Sequence, residues 1–328
     1  MQKTRQAPNA SLPKHGYKRL KIAVTGATGF VGAALLDILL TEGCSVNALV
    51  RDVARLTPRA GLTIIPGDLE NEDALHALAT GTDAFIHLAG LTHARRDEDY
   101  ARVNIDGARN AAHAAAANNT RFVHASSLSA REPDLSPYAH SKRMSETAIK
   151  DASGSNGWIA LRLPAIYGPG DRATLPYFKL IKNGLALEPA TTPQARASII
   201  YVDDAARALY DAARAGVSKK VLEVGDEKRD GHSWQEIGMT LGNIMNKKVR
   251  RMVIPRPIIA LTHGITRTVD NARGRISSVR SGQINEFFHA DWSARDNLFS
   301  VETGWQPTTP LKEGFAKTVL WYQDNGLL

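Results

Sequence analysis

Tyr138 and Lys142 are two residues whose types and spacing could transfer a proton. Residues four apart on a helix lie on one face, one turn from each other, and the residues from 143 to 150 favour a helix. Pro137 comes just before them, where a first-turn proline is tolerated. An ammonium group beside a phenol stabilises the phenolate and lowers its pKa, so that the phenol can exchange a proton near neutral pH. Solvent-facing helices carry the same spacing, so the rest of the chain has to decide between the two interpretations.

A glycine-rich stretch follows a short apolar run and reads Thr-Gly-Ala-Thr-Gly-Phe-Val-Gly over residues 25–32. Gly26 allows a tight turn, and Gly29 lets a phosphate approach the backbone. Gly32 lets the helix predicted at 33–41 pack close to the preceding strand. The N-terminus of that helix then offers free N–H groups and a favourable dipole to a pyrophosphate. The alternative is an ordinary strand-to-helix turn.

The second predicted strand, at 46–50, ends next to Arg51 and Asp52. Folds that bind the unphosphorylated nicotinamide cofactor usually end this strand with Asp or Glu, which bonds the ribose 2′-OH. A cation at Arg51, with no acid at the strand tip, suits a 2′-phosphate, so NADP(H) is the predicted cofactor. Asp52 could reach the ribose from one residue further on, which keeps NAD(H) as an alternative.

Strands and helices alternate along the first half of the chain. Further strands are predicted at 62–65, 84–88, 121–125 and 158–162, and helices at 73–78 and 97–118. This alternation implies a parallel sheet covered by helices on both faces. Ligands of such sheets bind at the carboxyl ends of the strands. The candidate residues that fall at strand carboxyl ends are Gly26, Arg51, Asp68, Gly90 and Ser127.

Eight short motifs follow one another in the first two thirds of the chain. They are residues 25–32, 67–69, 87–90, 104–107 and 126–127, the pair Tyr138 and Lys142, and residues 161–171 and 201–204. In these motifs and in their order, residues 20–225 resemble the extended short-chain dehydrogenase/reductase family, also called the epimerase/dehydratase family. The resemblance favours the proton-transfer interpretation of Tyr138 and Lys142.

The resemblance implies an NAD(P)-dependent oxidoreductase with a Rossmann-type, doubly wound α/β sheet and a Ser-Tyr-Lys active site. Tyr138 would be the acid/base, Lys142 would lower its pKa and bind the ribose hydroxyls, and Ser127 would hydrogen-bond the substrate oxygen. Hydride transfer to a carbonyl carbon develops an alkoxide, which needs a proton and hydrogen-bond donors nearby. The implied cofactor-binding residues are Gly26, Thr28, Gly29, Phe30, Val31, Arg51, Asp68, Leu69, Leu88, Ala89, Gly90, Asn104, Ala125, Tyr138, Lys142, Pro164 and Ile166.

Residues 161–171 separate the branches of this family. Nucleotide-sugar members commonly place Asn where this chain has Ala165, and that Asn contacts the substrate diphosphate. The stretch is more similar to the 3β-hydroxysteroid dehydrogenase and dihydroflavonol reductase branches. The chain also resembles the bacterial oxidised-ceramide (3-ketosphingolipid) reductase type of this subfamily, an analogy supported by its basic, apolar segment at 247–280. The expected reaction is therefore NADPH-dependent reduction of a ketone on a small apolar or lipid-like substrate, and the apolar stretch at 175–181 could form pocket wall or core. A nucleotide-sugar epimerase or dehydratase and a non-catalytic NADPH-binding subunit are the alternatives.

The composition is that of a globular protein, with 43% of the 328 residues hydrophobic and 23% charged. The predicted division begins with a basic, disordered tail at 1–19. A cofactor-binding domain follows at 20–170, to which residues 199–225 return. A smaller, mostly helical substrate-binding part comprises 171–198 and 226–328.

Cys44 is the only cysteine, so an intrachain disulfide and a cysteine-based metal site are excluded. The ten histidines are scattered and no metal-ligand spacing is found. No apolar run approaches the length that spans a bilayer, and the N-terminus has no apolar signal-peptide region. These features predict a cytoplasmic protein without a metal. Nucleic acid is not an expected partner, and the sequence leaves the oligomeric state open.

The net charge of +8 is unevenly distributed. Residues 1–21 carry six basic residues and no acid, and residues 247–280 carry nine basic residues against one acid, Asp270. The apolar residues on one helical face of the second segment are Ile258, Leu261, Ile265 and Val269. A basic helix with an apolar face can lie on an anionic membrane, so a peripheral contact with the inner membrane face is one prediction. The alternative is a helix that closes over the substrate pocket with its arginines in solvent.

Overall fold

The structure, a computed structural model, describes residues 19–259 and 281–328. The strands are β1 Lys21–Thr25, β2 Ser45–Val50, β3 Leu62–Pro66, β4 Ala84–His87, β5 Arg121–Ser127, β6 Trp158–Leu163, β7 Ala165–Tyr167, β8 Leu185–Pro189, β9 Arg196–Ala197, β10 Ile199–Tyr201, β11 Lys220–Glu223, β12 His232–Ser233, β13 Arg250–Ile254 and β14 Asp291–Trp292. The helices are α1 Phe30–Thr41, α2 Glu72–Ala79, α3 Asp97–Tyr100, α4 Gly107–Ala117, α5 Pro137–Ser153, α6 Leu175–Lys182, α7 Val202–Arg214, α8 Trp234–Ile244, α9 Ser281–Phe287, α10 Phe299–Thr303 and α11 Leu311–Asp324. The predicted tail up to residue 18 lies outside the described residues, as does the predicted apolar helical face from residue 260 onward.

The main sheet has seven strands in the order β11-β6-β5-β4-β1-β2-β3, and every neighbouring pair is parallel. All seven carboxyl ends therefore lie along one edge. The strand order reverses between β1 and β4, and such a switch point is where ligands of this architecture bind. The predicted Rossmann-type doubly wound sheet is confirmed.

Two apolar clusters cover the two faces of this sheet. Neighbouring residues of a strand point to opposite faces, and in β1 Ile22 and Val24 join one cluster while Ala23 joins the other. Helices α1 and α7 complete the first cluster, and α2, α4 and α5 complete the second. Leu35 and Leu39 of α1 are fully buried, and burial of each such side chain contributes about 1.5–3 kcal/mol.

A third apolar cluster lies in the C-terminal part of the chain, where α6, α8 and α11 pack together. Phe178 and Tyr322 are among its fully buried rings. Three small sheets accompany these helices: β7 with β10, β8 with β13, and β9 between β12 and β14. After the 171–198 stretch, α7 and β11 return to the main sheet. The boundaries of the two parts remain predictions.

The helix predicted at 97–118 is interrupted by a π-helical turn at Ala101–Asp106, between α3 and α4. Two 3₁₀ turns, Val53–Arg55 and Leu128–Arg131, follow β2 and β5. Within the described ranges, no helix is both long enough and apolar enough to cross a membrane.

Candidate active site

The glycine turn after β1 is closely packed. Gly26 has a φ of +76°, and a Cβ atom there would lie 2.7 Å from the backbone nitrogen of Ala89. The Gly29 N–H donates to the Gly26 carbonyl at 3.0 Å, and a Cβ atom on Gly32 would lie 2.1 Å from that carbonyl oxygen. Only glycine fits these close approaches. The turn therefore has the close packing that the glycine spacing predicted, and its binding of a phosphate stays a prediction.

Helix α1 begins at Phe30, three residues earlier than predicted. Its N-cap is Gly29, which offers no side-chain hydrogen bond to the first turn. The first N–H groups of a helix have no partner within the helix, so those of α1 are available to an anion. The predicted residues Thr28, Phe30 and Val31 line this turn and are half-buried.

The end of β4 lies against the glycine turn. The Ala89 N–H donates to the Thr25 hydroxyl at 3.3 Å. A Cβ atom on Gly90 would lie 3.1 Å from Asn104 Oδ1 and 3.7 Å from Lys142 Nζ. The structure thus brings Ala89, Gly90, Asn104 and Lys142 together at the switch point of the sheet.

Asn104 lies in the π-helical turn and is buried. Its Oδ1 accepts the Leu91 N–H at 2.7 Å, and its Nδ2 donates to the Leu91 carbonyl at 3.0 Å and to the Ser141 hydroxyl at 2.9 Å. Asn104 therefore fastens the loop after β4 to α5, beside Lys142. Wide turns of this kind occur frequently at functional sites. No local sequence pattern predicted this one.

Lys142 is buried on α5, and its Nζ donates to the Ala125 carbonyl oxygen at 2.7 Å. Burial lowers the pKa of Lys142 to about 8, against the opposing effect of the Glu146 carboxylate. Glu146 is itself held by two hydrogen bonds from Arg162, each 2.8 Å, and by one from Ser126 at 2.6 Å. With the Glu146 carboxylate nearby, the buried Lys142 is mainly protonated at neutral pH.

Tyr138 lies in the first turn of α5, next to Ser136, whose hydroxyl caps the helix by accepting the Ala139 N–H at 2.9 Å. Burial raises the pKa of Tyr138 to about 12, and a side-chain interaction with Ser127 acts in the opposite direction. The raised pKa is opposite to the lowering expected from Lys142, because the loss of water around the phenol dominates and the ammonium is bonded to Ala125.

The residues predicted to contact the adenosine end lie after β2 and β3. Arg51 is exposed, whereas the Asp52 carboxylate accepts the Ala54 N–H at 3.1 Å and caps the 3₁₀ turn that follows. Asp68 Oδ1 accepts the N–H groups of the next turn, at 2.9 and 3.2 Å. Leu69 packs on Gly107, and a Cβ atom on Gly107 would lie 2.5 Å from the Cδ1 of Leu69.

Four other predicted residues lie on neighbouring strands or just beyond them. Leu88 follows β4 and its N–H donates to the Thr25 carbonyl at 3.2 Å. Ala125 supplies the carbonyl that Lys142 bonds. Pro164 is buried between β6 and β7, and Ile166 is half-buried in β7. Among the described residues, no three His, Cys, Asp or Glu side chains form a group that could hold a metal ion.

Glu286 is a neighbour of Tyr138 that the sequence did not indicate. Its carboxylate accepts hydrogen bonds from the Ser129 hydroxyl at 3.2 Å and from the Ser136 hydroxyl. Its negative charge also raises the pKa of Tyr138. Glu286 lies about 150 residues along the chain from these partners, so no spacing pattern could have found it.

Comparisons with known proteins agree with this architecture. The NAD dependent epimerase/dehydratase family matches residues 22–225. A protein of Caulobacter vibrioides (strain NA1000 / CB15N), named ceramide reductase, is 38% identical over 309 residues, which cover 94% of this chain and 96% of the relative. A 3-beta-hydroxysteroid dehydrogenase of Mycolicibacterium neoaurum is 29% identical over 195 residues, which cover 51% of this chain and 52% of the relative.

Among solved structures, the Bordetella bronchiseptica enzyme WbmG in complex with NAD and UDP superposes with a TM-score of 0.70. The superposition covers 94% of this chain and 97% of that one at 18% identity, and it shows a shared fold. The family match extends over more than half of the chain, and the Caulobacter relative aligns over nearly all of it. On these grounds the chain belongs to the NAD dependent epimerase/dehydratase family and is an NAD(P)-dependent oxidoreductase.

Proposed function

We propose that this chain uses NADPH to reduce a ketone on an apolar or lipid-like substrate, with Ser127, Tyr138 and Lys142 as its catalytic residues. The observation that carries the proposal is buried Lys142, which bonds the strand that ends at Ser127, lies one turn along α5 from Tyr138 and has Gly90 beside it. This cluster lies at the carboxyl edge of the sheet, next to the glycine turn. Such an arrangement supplies a proton donor and an oxygen-binding hydroxyl side by side.

The cofactor supplies the hydride when it is bound. The glycine turn fits a dinucleotide, because Gly26 and Gly32 let the strand, the turn and α1 pack closely. Gly29 is exposed, next to the first N–H groups of α1, where a phosphate could approach the backbone. Asn104 and Lys142, at Gly90, would hold the nicotinamide half of the molecule.

The catalytic hydroxyls have separate tasks in this proposal. Ser127 donates a hydrogen bond to the substrate oxygen and orients the carbonyl. Tyr138, with a pKa raised to about 12, carries its proton throughout the neutral range and gives it to the oxygen as negative charge develops there. Lys142, with a pKa of about 8, is mainly protonated at pH 7 and favours the phenolate that remains.

The preference for NADP(H) rests on Arg51 and Asp52. Asp52 already accepts the Ala54 N–H and caps the turn after β2, so it is less suited to a ribose hydroxyl. Arg51 is exposed beside it. A guanidinium group binds a phosphate through charge-assisted hydrogen bonds.

The substrate class rests on Ala165 and on the relative named ceramide reductase. Ala165 is exposed at the start of β7 and offers no side-chain donor to a diphosphate. The 175–181 stretch forms most of α6, whose Leu175, Phe178 and Ile181 are core residues. That stretch therefore gives the substrate proposal less support than its composition suggested. A 3-keto-sphingolipid, such as an oxidised ceramide, is the proposed substrate.

The proposal includes a peripheral contact with an anionic membrane through β13 and the residues next to it. Met252, Val253 and Ile258 are exposed by 42%, 56% and 55%. The exposed basic residues around them are Lys247, Lys248, Arg250 and Arg256. Arg251 belongs to a different contact, since it bonds the buried Glu188 carboxylate at 2.7 and 2.8 Å. Apolar side chains among cations suit a bilayer with anionic headgroups.

The experiment that tests this function compares two substrates with the purified chain. A water-soluble, short-chain oxidised ceramide is incubated with NADPH, and UDP-glucose is incubated with NAD, with products identified by mass spectrometry. We expect NADPH consumption with formation of the ceramide alcohol, and no change in the sugar nucleotide. Tight binding or epimerisation of the sugar nucleotide, without reduction of the ketone, would replace this proposal with the epimerase alternative.

A further inference from the structure

We propose that Glu286 is a positioning residue that joins the loop carrying Ser127 to the helix carrying Tyr138. This inference rests on the proposed function, because it assigns Glu286 a role in the same proton transfer. Glu286 comes from α9, in the C-terminal part of the chain. Ser127 comes from the end of β5 in the main sheet, and Tyr138 comes from the first turn of α5.

The carboxylate of Glu286 bridges two serines. Ser129 donates its hydroxyl proton to Oε2 at 3.2 Å, and Ser136 donates to Oε1. Ser129 lies two residues after Ser127, and its N–H donates to the Ser127 hydroxyl at 3.2 Å. Ser136 lies two residues before Tyr138 and caps α5. One carboxylate therefore holds the segment that carries Ser127 next to the segment that carries Tyr138.

Helix α9 is firmly docked where it delivers this carboxylate. A Cβ atom on Gly282 would lie 2.6 Å from the Ser136 Cβ, so only glycine permits this approach. The Asn285 side chain donates to the Leu135 carbonyl at 2.9 Å. The Trp292 indole donates to the Glu286 carbonyl at 2.8 Å and fixes its backbone. Such support is what keeps a catalytic geometry within a fraction of an ångström.

The charge of Glu286 has a second consequence. Burial raises the pKa of Glu286, while the bonds from Ser136 and Ser129 and the nearby His93 act to lower it. As a carboxylate, Glu286 raises the pKa of Tyr138, together with Tyr100, whose ring centroid lies 6.1 Å from that of Tyr138. The side-chain interaction with Ser127 lowers that pKa, and the Lys142 ammonium is bonded to the Ala125 carbonyl. Glu286 thus adds to the effect of burial, which keeps Tyr138 protonated as a donor in the reduction requires.

Two substitutions separate geometry from charge. Glu286→Asp keeps the charge but is one methylene too short to reach both serines. Glu286→Gln keeps the length but removes the charge and one acceptor. We expect kcat for the oxidised ceramide to fall about 10-fold or more in both variants, with the KM for NADPH nearly unchanged. Asp134→Asn, an exposed acid on the same loop, is the matched control and should match the wild type.

The pH profile gives a readout that a purely structural role would not move. In the reverse reaction, oxidation of the ceramide alcohol needs the phenolate of Tyr138. Glu286→Gln should move the rise of kcat/KM toward lower pH by about half a unit or more, because a negative charge that opposes the phenolate is gone. Glu286→Asp, which keeps the charge, should not move it.

Wild-type kcat in both Glu286 variants, or an unmoved profile in Glu286→Gln, would overturn the inference. If Glu286→Gln does not fold, Ser129→Ala removes one donor to the same carboxylate and should lower kcat several-fold; wild-type kcat there would overturn it too. Tyr138→Phe distinguishes the two proposals. An inactive Tyr138→Phe beside a wild-type-like Glu286→Gln rejects Glu286 alone, whereas an active Tyr138→Phe rejects the proposed function itself.

Discussion

The Nζ of Lys142 lies 2.7 Å from the carbonyl oxygen of Ala125, so the cation of the candidate site is bonded to the strand that delivers Ser127. Helix α5 and strand β5 are thereby joined at the site itself. Lys142 is also buried, and its pKa is lowered to about 8. The site thus contains a charge that folding has to take out of water.

This burial predicts an effect of Lys142→Met on stability. The lowered pKa means that the cost of the buried ammonium is fully present below about pH 8 and is lost as pH rises toward 10.5. At pH 7 the free energy of unfolding of Lys142→Met should exceed that of the wild type by about 1–2 kcal/mol. This figure allows for the cost of leaving the Ala125 carbonyl without its hydrogen bond.

Urea unfolding of both proteins at several pH values between 7 and 10.5 measures this difference. The advantage of Lys142→Met should shrink as pH rises over that range, and its reductase activity should be lost. A difference in the free energy of unfolding that stays constant with pH would show that burying the protonated Lys142 does not destabilise the folded protein.

Arg162 and Glu146 form a buried, doubly hydrogen-bonded pair, with side chains 12% and 5% exposed. Arg162→Leu removes the two hydrogen bonds that this cation gives to the buried Glu146 carboxylate and should lower the free energy of unfolding by about 3–5 kcal/mol. Arg143 is the matched control, because it lies 3.9 Å from the same carboxylate and its side chain is 47% exposed. Arg143→Gln should cost less than about 1 kcal/mol. Equal losses in both variants, measured by urea unfolding, would contradict this account of the pair.

Arg51 tests the cofactor preference. Arg51→Ala should weaken NADPH binding by about 1.5–3 kcal/mol, because a charge-assisted contact with the 2′-phosphate is lost, and should leave NADH binding nearly unchanged. Fluorescence titration of both cofactors gives the two affinities. Arg55→Ala, an exposed arginine in the next turn, is the control. Equal losses of NADPH and NADH affinity in Arg51→Ala would show that Arg51 does not read the phosphate.

The membrane proposal predicts that the chain sediments with anionic vesicles at low salt and is released at high salt. Changing Lys248 and Arg250 to Gln should weaken sedimentation, because each cation near the surface contributes about 1 kcal/mol. The same change at Lys150 and Lys219, exposed residues of the main-sheet domain, removes equal charge and should leave sedimentation unchanged. Equal effects of the two pairs, or binding to neutral vesicles with the same affinity, would reject β13 as the contact surface.

Much of the fold could be predicted because its determinants are local. Glycines at 26, 29 and 32 fix the first turn by backbone sterics, and apolar strands alternating with helical patterns imply a parallel sheet. The same argument placed Gly90 and Ser127 at one edge, where the structure has them. The position of Arg51 followed from the predicted end of β2. Its role in binding the cofactor is still a prediction.

The remaining features depend on contacts between distant parts of the chain. Glu286 reaches the site only because α9 docks on Ser136. The raised pKa of Tyr138 reflects burial by neighbours that spacing does not reveal. Arg251, one of the nine basic residues of 247–280, pairs with buried Glu188 while its own side chain stays 41% exposed. Such pairings are set by tertiary packing, which single-sequence patterns do not encode.

Tyr138→Phe tests the central claim most directly. The substitution keeps the ring and removes the proton donor, so NADPH should bind as in the wild type while turnover of the oxidised ceramide falls by about 10² or more. Tyr210→Phe is the control, since that tyrosine lies on α7 near Cys44, away from the site. NADPH oxidation and NADPH fluorescence measure both quantities for each variant. Wild-type turnover in Tyr138→Phe would contradict the account, and loss of turnover with intact NADPH binding in that variant alone is the result it predicts.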